Sequence, residues 1–521
     1  MTRIRTAADT ALMLDAADLD EAMRLLPALR EAAIEGVTEL VPAAQTILVR
    51  FDPRVADADA LAERLLAIEP LEHVATSSDA VTIPVVYDGE DLAEVAEHLG
   101  VSTDELVRRH QAATWTVAFT GYAPGFGYLV GDDDLLEVPR RPSPRTRIPA
   151  GSVALAGRFS GVYPRESPGG WQLIGRTDAR MWDLDREPPA LLQPGATVRF
   201  ERVERELAVL EAREREPVAG EHAVEVVRPG LQLLVQDLGR PGMAATGVSA
   251  SGTADRGALR EANRAVGNPS GEAGLELAGG GAVLRFRGPA VVALAGARAD
   301  ASVLGERGTT RVEPTRPVAL DDGDELRIGA VRDGMRVLVG IRGGIGLDPV
   351  LDSLSTDTLA GLGPAPLDAG DALPLRGPHA AGAAVERTRA PREPLPVAGD
   401  EVELEIVLGP RDDWFTASAL DALTGQAWTV TPRSDRVGIR LEGATPLERA
   451  RDGELPSEGA VTGAIQVPPD GQPVLFLPDH PLTGGYPIIG AVVDRDLDLA
   501  GQLPPGALVR FRVRGDRKER P

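Results

Sequence analysis

The chain has 521 residues, 43 % of them apolar but only 4 % aromatic, with 58 glycines and 43 prolines. That is too long for one core, and it favours several units of short strands and tight turns over long helices. A net charge of −24 with a pI of about 4.8 argues against nucleic acid or an anionic membrane surface as a partner. Cysteine is absent and the only lysine is Lys518, in the tail GDRKERP. These absences exclude disulfides, thiolate nucleophiles, Cys-ligated metals, a Walker-A or Schiff-base lysine and a lysine to carry biotin.

The opening, MTRIRTAADTALMLDAADLDE, has a short apolar patch broken by Asp15 and Asp18 and is no signal peptide. No uncharged run reaches the roughly 18 residues of a membrane helix, so a cytoplasmic location is expected. TALMLD reads as a strand, LDEAMRLLPALREAAI as an amphipathic helix with a break point at Pro27, QTILVRFD as a strand and ADALAERLLAIE as a second helix. The βαββαβ-like order predicts a small split-βαβ layer over residues 1–78. Residues 79–212 open with the strand VTIPVVYD and two short helices, the second with a capping box from Ser102 to Glu105. From Trp115 onward there are only turns and short strands. A charged linker at 213–222 leads to a second β-rich half, made of units at 223–376 and 402–515 around a Pro/Ala-rich linker at 377–401. The fold class is mainly β with an α/β N-terminal layer.

The two halves repeat each other. AGSVAL, SPGGWQLIGRT and LLQPGATVRF end the first half, and EGAVTGAI, LTGGYPIIGAV and QLPPGALVRF end the second. Three motifs agreeing in order predict related β-barrel units. LDDGDELRIG echoes the last motif in the middle of the chain.

Four constellations carry candidate chemistry. FTGYAPGFGYL gathers Tyr122, Phe126 and Tyr128 beside glycines, either as a pocket wall or as an aromatic strand corner. PRRPSPRTRIPAG places Arg140, Arg141, Arg145 and Arg147 in one loop, suited to carboxylate or phosphate or simply solvated. SPGGW and LTGGY put Gly169–Gly170 and Gly484–Gly485 between a hydroxyl (Ser167, Thr483) and an aromatic residue (Trp171, Tyr486). Consecutive amides there can make an anion nest. RSDRVGIRL and LPDHPLTGG set Asp435 beside Arg436 and Asp479 beside His480: Asp435 is a candidate general base or a turn cap, and His480 a candidate proton shuttle. No histidines pair at zinc spacing, so no metal site is expected.

These motifs resemble a known family. FTGYAPGFGYL, PRRPSPRTRIPAGSVALAG and SPGGWQLIGRT are similar to allophanate hydrolase subunit 1, or the 5-oxoprolinase B subunit. VVRPGLQLLVQDLGRPG, SGTADRGALREANRAVGN, LELAGGGAVLRF, RSDRVGIRL and LTGGYP resemble subunit 2, or the 5-oxoprolinase C subunit. The resemblance extends to the carboxyltransferase domain of urea carboxylase, where the halves come in reverse order. It implies multiple cyclophilin-like β-barrels and an active site where the halves meet. On that basis Asp435, Arg436 and His480, the loop to Tyr486, Asp237 and Arg240 of QDLGR, and Arg145, Arg147 and Ser167–Trp171 are carried over as site residues. GTAD and DHPLTGGY depart from the family's usual wording.

The resemblance implies the B+C component of an ATP-dependent 5-oxoprolinase. Such a component binds a small-molecule amide and ATP with Mg2+, carries no biotin itself, and works with a homologue of the 5-oxoprolinase A subunit. Two alternatives remain: a biotin-dependent carboxyltransferase acting on a urea-like amide, and a regulatory inhibitor of a histidine kinase.

Overall fold

The computed structural model describes residues 3–72, 80–141, 143, 145–204, 207, 222–377, 379, 383–385, 395–453 and 455–515. The expected linker at 213–222 falls almost wholly outside them, as do much of 377–401 and Lys518.

The N-terminal layer comprises β1 (Arg3–Ala8), β2 (Ala11–Asp15), α1 (Leu19–Ala32), β3 (Val37–Pro42), β4 (Thr46–Phe51) and α2 (Ala58–Leu66). Its sheet, in the order β1-β2-β4-β3, is antiparallel throughout. The order ββαββα corrects the expected βαββαβ, because the arginines of RIRTAA mask the alternation by which β1 would be read. α1 starts at Asp18, whose carboxylate accepts from Glu21 N (2.8 Å), and runs on through Pro27. Side chains alternate across the sheet. Leu12, Leu14, Ile47 and Val49 pack under both helices against Leu25, Leu29, Leu61 and Leu65. Ala11, Met13 and Leu48 face the other way, onto Val474, Phe476, Ile488 and Ala491 from the far end of the chain. With both faces covered, ALML and TILV read as unbroken apolar runs.

The first barrel unit comprises β5 (Val81–Val85), α3 (Leu92–His98), α4 (Thr103–Ala112), β6 (Trp115–Thr120), β7 (Gly127–Gly131), β8 (Arg145–Ile148), β9 (Ser152–Ala156), β10 (Phe159–Val162), β11 (Ser167–Gly169), β12 (Gln172–Arg176) and β13 (Thr197–Arg202). Its strand order is β12-β9-β10-β7-β6-β13-β5, and a bridge between Val86 and Arg176 joins the two edges. Ser102 caps α4 by accepting from Glu105 N (3.2 Å), while the Glu105 carboxylate pairs with Arg108 and Arg109.

The middle unit holds β14 (Ala223–Arg228), β15 (Gln232–Gln236), α5 (Arg256–Val266), β16 (Gly274–Ala278), β17 (Val283–Arg287), β18 (Ala290–Gly305), β19 (Gly308–Val312), β20 (Val318–Leu320), β21 (Glu325–Ile341) and β22 (Ala372–Pro374). These nine strands form one sheet around a Val/Leu/Ile core.

The last unit is a closed barrel. It is built from β23 (Glu401–Leu408), α6 (Ala417–Gly425), β24 (Trp428–Val430), β25 (Gly438–Glu442), β26 (Glu458–Gly459), β27 (Ala464–Gln466), β28 (Val474–Phe476), β29 (Thr483–Gly484), β30 (Ile488–Val492), α7 (Leu497–Ala500) and β31 (Leu508–Val513).

The first and last barrels match strand for strand in chain order. β13 closes in parallel on β5 as β31 does on β23. The short strand β11 pairs β8 outside its barrel, as β29 pairs β26. Trp115 Nε1 donates to the carbonyl of His110 (3.0 Å), and Trp428 Nε1 to that of Leu423 (2.9 Å), each locking a helix onto the strand that follows it. The repeats read from SPGGW/LTGGY and PGATVRF/PGALVRF are therefore equivalent elements of two barrels.

Arg411 ties the N-terminal layer to the last barrel. Its buried guanidinium pairs with Asp15 (2.8 Å) and, through Nε, with Glu458 (2.7 Å). Burial alone would raise the Asp15 carboxyl, but hydrogen bonds from Arg411 and Arg5 outweigh it and hold Asp15 below its ordinary range. Arg411→Ala strands Glu458 as a buried, uncompensated charge and is expected to cost about 3–5 kcal/mol. Removing both partners in Arg411→Met/Glu458→Leu should recover most of the loss, as read from urea midpoints.

Candidate functional site

A cavity of about 350 Å³ lies where the first and last barrels meet. Tyr122, Phe126, Tyr128, Arg140, Arg141, Tyr163, Gly169, Gly170 and Trp171 line it from the first half, and Ser457 and Thr483–Tyr486 from the second. Four of the five tyrosines are here. The glycine turns after β11 and at β29 occupy equivalent places in their barrels, so related loops face each other across the cavity.

The aromatic wall is built by edge-to-face contacts, the geometry ring quadrupoles favour. Phe126 meets Trp171 at 5.3 Å and 84°, and Tyr163 at 5.4 Å and 70°. Tyr128 stacks on Phe119 behind it, 4.2 Å away and 16° from parallel. Glycine is required at 169, since a Cβ there would stand 2.4 Å from the Tyr163 hydroxyl. Tyr122 takes the left-handed backbone region, with φ of 61°, and donates its hydroxyl to the carbonyl of Pro168. Burial raises the tyrosine hydroxyls of Tyr122, Tyr128 and Tyr163, so all three are neutral donors.

Asp91 positions the polar side of the cavity. It is 3 % exposed and binds Arg141 Nη1 (2.7 Å), Arg145 Nη1 (2.9 Å) and the amide of Leu173 (2.7 Å). One carboxylate thus fixes two cations and the strand that follows Trp171. On the opposite side, the amides of Gly485 and Tyr486 find no acceptor among the described residues. Arg449 lies 5.8 Å from the Tyr486 ring.

The structure brings Gly169, Gly170, Trp171, Thr483, Gly484, Gly485 and Tyr486 together at the cavity. Ser167 stands just behind, within hydrogen-bonding reach of Tyr122. Arg145 turns away to Asp91 and Glu90. Arg147 is exposed and pairs with Glu166 (2.6 Å).

The remaining candidates lie outside the cavity lining. The Asp435 carboxylate caps its own turn, accepting from Val437 N (2.9 Å) and Gly438 N (3.1 Å), and does not line the cavity. His480 is 6 % exposed, stacks on Phe476 and turns Nδ1 to the carbonyl of Pro481 (2.9 Å); burial lowers its pKa to about 4. Asp237 gathers Gly239 N, Leu354 N and the hydroxyls of Ser353 and Ser355. Arg240 lies buried against the carbonyls of Val350 and Ser355. Arg436 pairs with Asp479 (3.0 Å) and Glu276, joining the last barrel to the middle unit.

Sequence reasoning passed over Tyr163, Ser457 and Asp91. The scarcity of tyrosine was a signal for Tyr163; Ser457 and Asp91 carry none.

Next to Arg436, the loop Ser353–Leu362 presses Asp357 into the same buried network, where it accepts from the amides of Leu359 (3.0 Å) and Ala360 (2.7 Å). Arg165, near the first glycine turn, donates to the carbonyl of Leu359. Burial, reinforced by the charge of Asp479, pushes the Asp357 carboxyl from its ordinary 3.8 up to about 6.

An acid raised on folding binds more protons folded than unfolded, so stability falls as pH rises from about 4 to about 6 and then levels. Asp357→Asn should narrow the Tm difference between those limits relative to wild type in scanning calorimetry; an unchanged difference refutes the assignment. Asp435→Ala should cost about 1 kcal/mol through its lost turn cap and leave ligand binding at the cavity unaltered.

Comparison with known proteins agrees with this geometry. Residues 2–192 match the model of the carboxyltransferase domain, subdomain C and D, and residues 246–513 that of subdomain A and B. The first half is 42 % identical over 168 residues to the B subunit of 5-oxoprolinase from Escherichia coli O157:H7, covering 32 % of this chain and 77 % of that one. The second is 31 % identical over 296 residues to the C subunit of 5-oxoprolinase from Escherichia coli K12, covering 55 % and 90 %. Urea amidolyase of Lachancea kluyveri is 32 % identical over 313 residues, covering 56 % of this chain but 17 % of that protein. The crystal structure of TTHA0988 superposes with a TM-score of 0.82 at 36 % identity, covering 98 % of this chain and all of the other. B-type and C-type halves thus stand in one polypeptide, and the chain belongs to the carboxyltransferase-domain family, with subdomains C and D ahead of A and B.

Proposed function

We propose that this protein is the B+C component of an ATP-dependent 5-oxoprolinase, holding 5-oxoproline in the cavity between its barrels while the lactam is activated by phosphorylation. A separate A-subunit homologue then completes hydrolysis to glutamate, and the system works in the cytoplasm. The observation that carries the reading is the cavity itself. At about 350 Å³ it sits at the lower end of the ~300–1,000 Å³ range of small-molecule sites. Its aromatic faces suit a flat ring, and Arg140, Arg141 and the amides of Gly485 and Tyr486 suit a carboxylate.

Mg2+ fits this chain less well: among the described residues no three His, Asp or Glu side chains are grouped to hold a metal, so in this reading Mg2+ arrives on the nucleotide. ATP would supply the phosphoryl group. The chain's own residues orient the ring against Trp171 and Phe126, neutralise its carboxylate and exclude water. Among the described residues no helix is long and apolar enough to cross a membrane, in keeping with the proposed location.

Likeness to urea amidolyase supports a second reading, carboxyl transfer from a biotin carrier to an amide. Glutamate release from 5-oxoproline, assayed with ATP, is expected only when an A-subunit homologue is added, and Trp171→Ala should lower kcat/KM about tenfold or more. Absence of glutamate under all conditions, together with avidin-sensitive carboxylation in the presence of a biotin carrier, would replace the first reading by the second.

A further inference from the structure

Beside the cavity lies a second, broader hollow of about 630 Å³ that the binding of a ring and a carboxylate leaves unused. It is a groove in the surface of the last barrel, between the chain at 445–453 and the turn at 469–471. The two hollows share a rim. Arg449 lines the groove, Tyr486 lines the cavity, and the guanidinium stands 5.8 Å from the ring. Tyr486 is 46 % exposed, so the cavity meets solvent at this shared rim.

The groove is built before anything enters it. The amide of Leu447 donates to the carbonyl of Gly471 (2.9 Å) and joins its two walls, which approach so closely that a Cβ at 471 would stand 2.8 Å from Pro446. Arg449 Nη2 donates to the carbonyl of Val467 (2.7 Å), and Arg451 pairs with Asp413 (2.9 Å) beside the Trp414 ring. A surface fixed in this way loses little freedom on association.

Its composition is that of a protein contact. Tyr, Trp and Arg anchor most protein–protein interfaces. The groove and its rim carry the pairs Arg449–Tyr486 and Arg451–Trp414, in a chain with five tryptophans and five tyrosines in all. Glu448, Asp452 and Asp470 stand exposed on the same groove. With both arginines already engaged, these carboxylates repel the phosphates of a nucleotide and attract a basic protein segment.

The chemistry of the cavity indicates which protein comes to this rim. Water attacking a lactam phosphorylated on its oxygen returns the lactam and releases phosphate, so an activated ring that escapes into solvent is lost. The subunit that opens the ring has to receive it at the mouth.

We infer that this groove is the docking surface of the A-subunit homologue, which sets a basic segment against Glu448, Asp452 and Asp470 and closes over Tyr486 at the cavity mouth. This rests on the functional reading above and adds to it the face on which the partner sits.

Biolayer interferometry of the full chain against a purified A-subunit homologue, run beside calorimetric titration with 5-oxoproline, tests the surface. Wild type should bind both. Asp452→Arg and Arg451→Ala, each at an exposed position, should weaken the Kd for the A subunit about tenfold and leave 5-oxoproline binding unchanged. In the glutamate-release assay the half-saturating concentration of A subunit should rise by the same factor with kcat at saturation unchanged, a split that damage to the barrel does not produce. Glu306→Arg, on the hairpin between β18 and β19, makes the same change of net charge outside the groove lining and should alter neither affinity. Wild-type affinity for the A subunit in both groove variants overturns the docking surface alone, as does a wild type that binds 5-oxoproline but no A subunit. Failure of wild type to bind 5-oxoproline overturns the functional reading and the docking surface with it.

Discussion

A four-stranded sheet has two faces, and the helices of the N-terminal layer can cover only one. The other, carrying Ala11, Met13 and Leu48, is covered by Val474, Phe476 and Ile488 of the last barrel rather than by the barrel that follows it in sequence. This crossed docking is the constraint on which the cavity depends. It brings the two related barrels together so that their equivalent glycine turns face one another, and Arg411 adds a charged tie with Asp15 and Glu458 at the same junction. Apolar burial supplies the driving force; the ion pairs fix the register in which it occurs.

The buried charges around Arg436 join elements that lie far apart in sequence. Asp435 and Arg436 are neighbours in sequence, but one caps a turn at the surface while the other points inward to Asp479 and Glu276. Asp479 and His480, neighbours in the turn after β28, also diverge, Asp479 bonding Arg436 while His480 stacks on Phe476. Asp479 accepts from Arg436, Ser251 and Thr358, joining three segments distant in sequence. Burial would raise its carboxyl, yet Arg436 outweighs that and holds it ionised.

The features legible in the sequence were those written locally or written twice. The paired turns SPGGW and LTGGY, and the closing strands after PGA, occur in both halves, and they lie at matching positions of two barrels. The scarcity of aromatics made FTGYAPGFGYL conspicuous, and Tyr122, Phe126 and Tyr128 do wall the cavity. Less legible was anything that depends on contact across the chain. Asp91 looks like an ordinary N-terminal helix residue until Arg141, Arg145 and the Leu173 amide converge on it. The arginine cluster was read as one unit, but Arg145 pairs with the buried Asp91 while Arg147 stays in solvent beside Glu166. The hairpin of β1 went unseen because its neighbours, not its own alternation, make it a strand.

Each of the matched barrels is shut by its last strand, which runs parallel to its first across roughly a hundred residues of intervening chain. During synthesis, neither barrel can therefore close until nearly the whole module has left the ribosome, and the opening strand must wait with its edge uncovered. The chain can be interrupted between modules without cutting any such pairing, whereas an interruption inside one would sever it. Joining the modules in one polypeptide makes their encounter intramolecular, so formation of the cavity no longer depends on protein concentration.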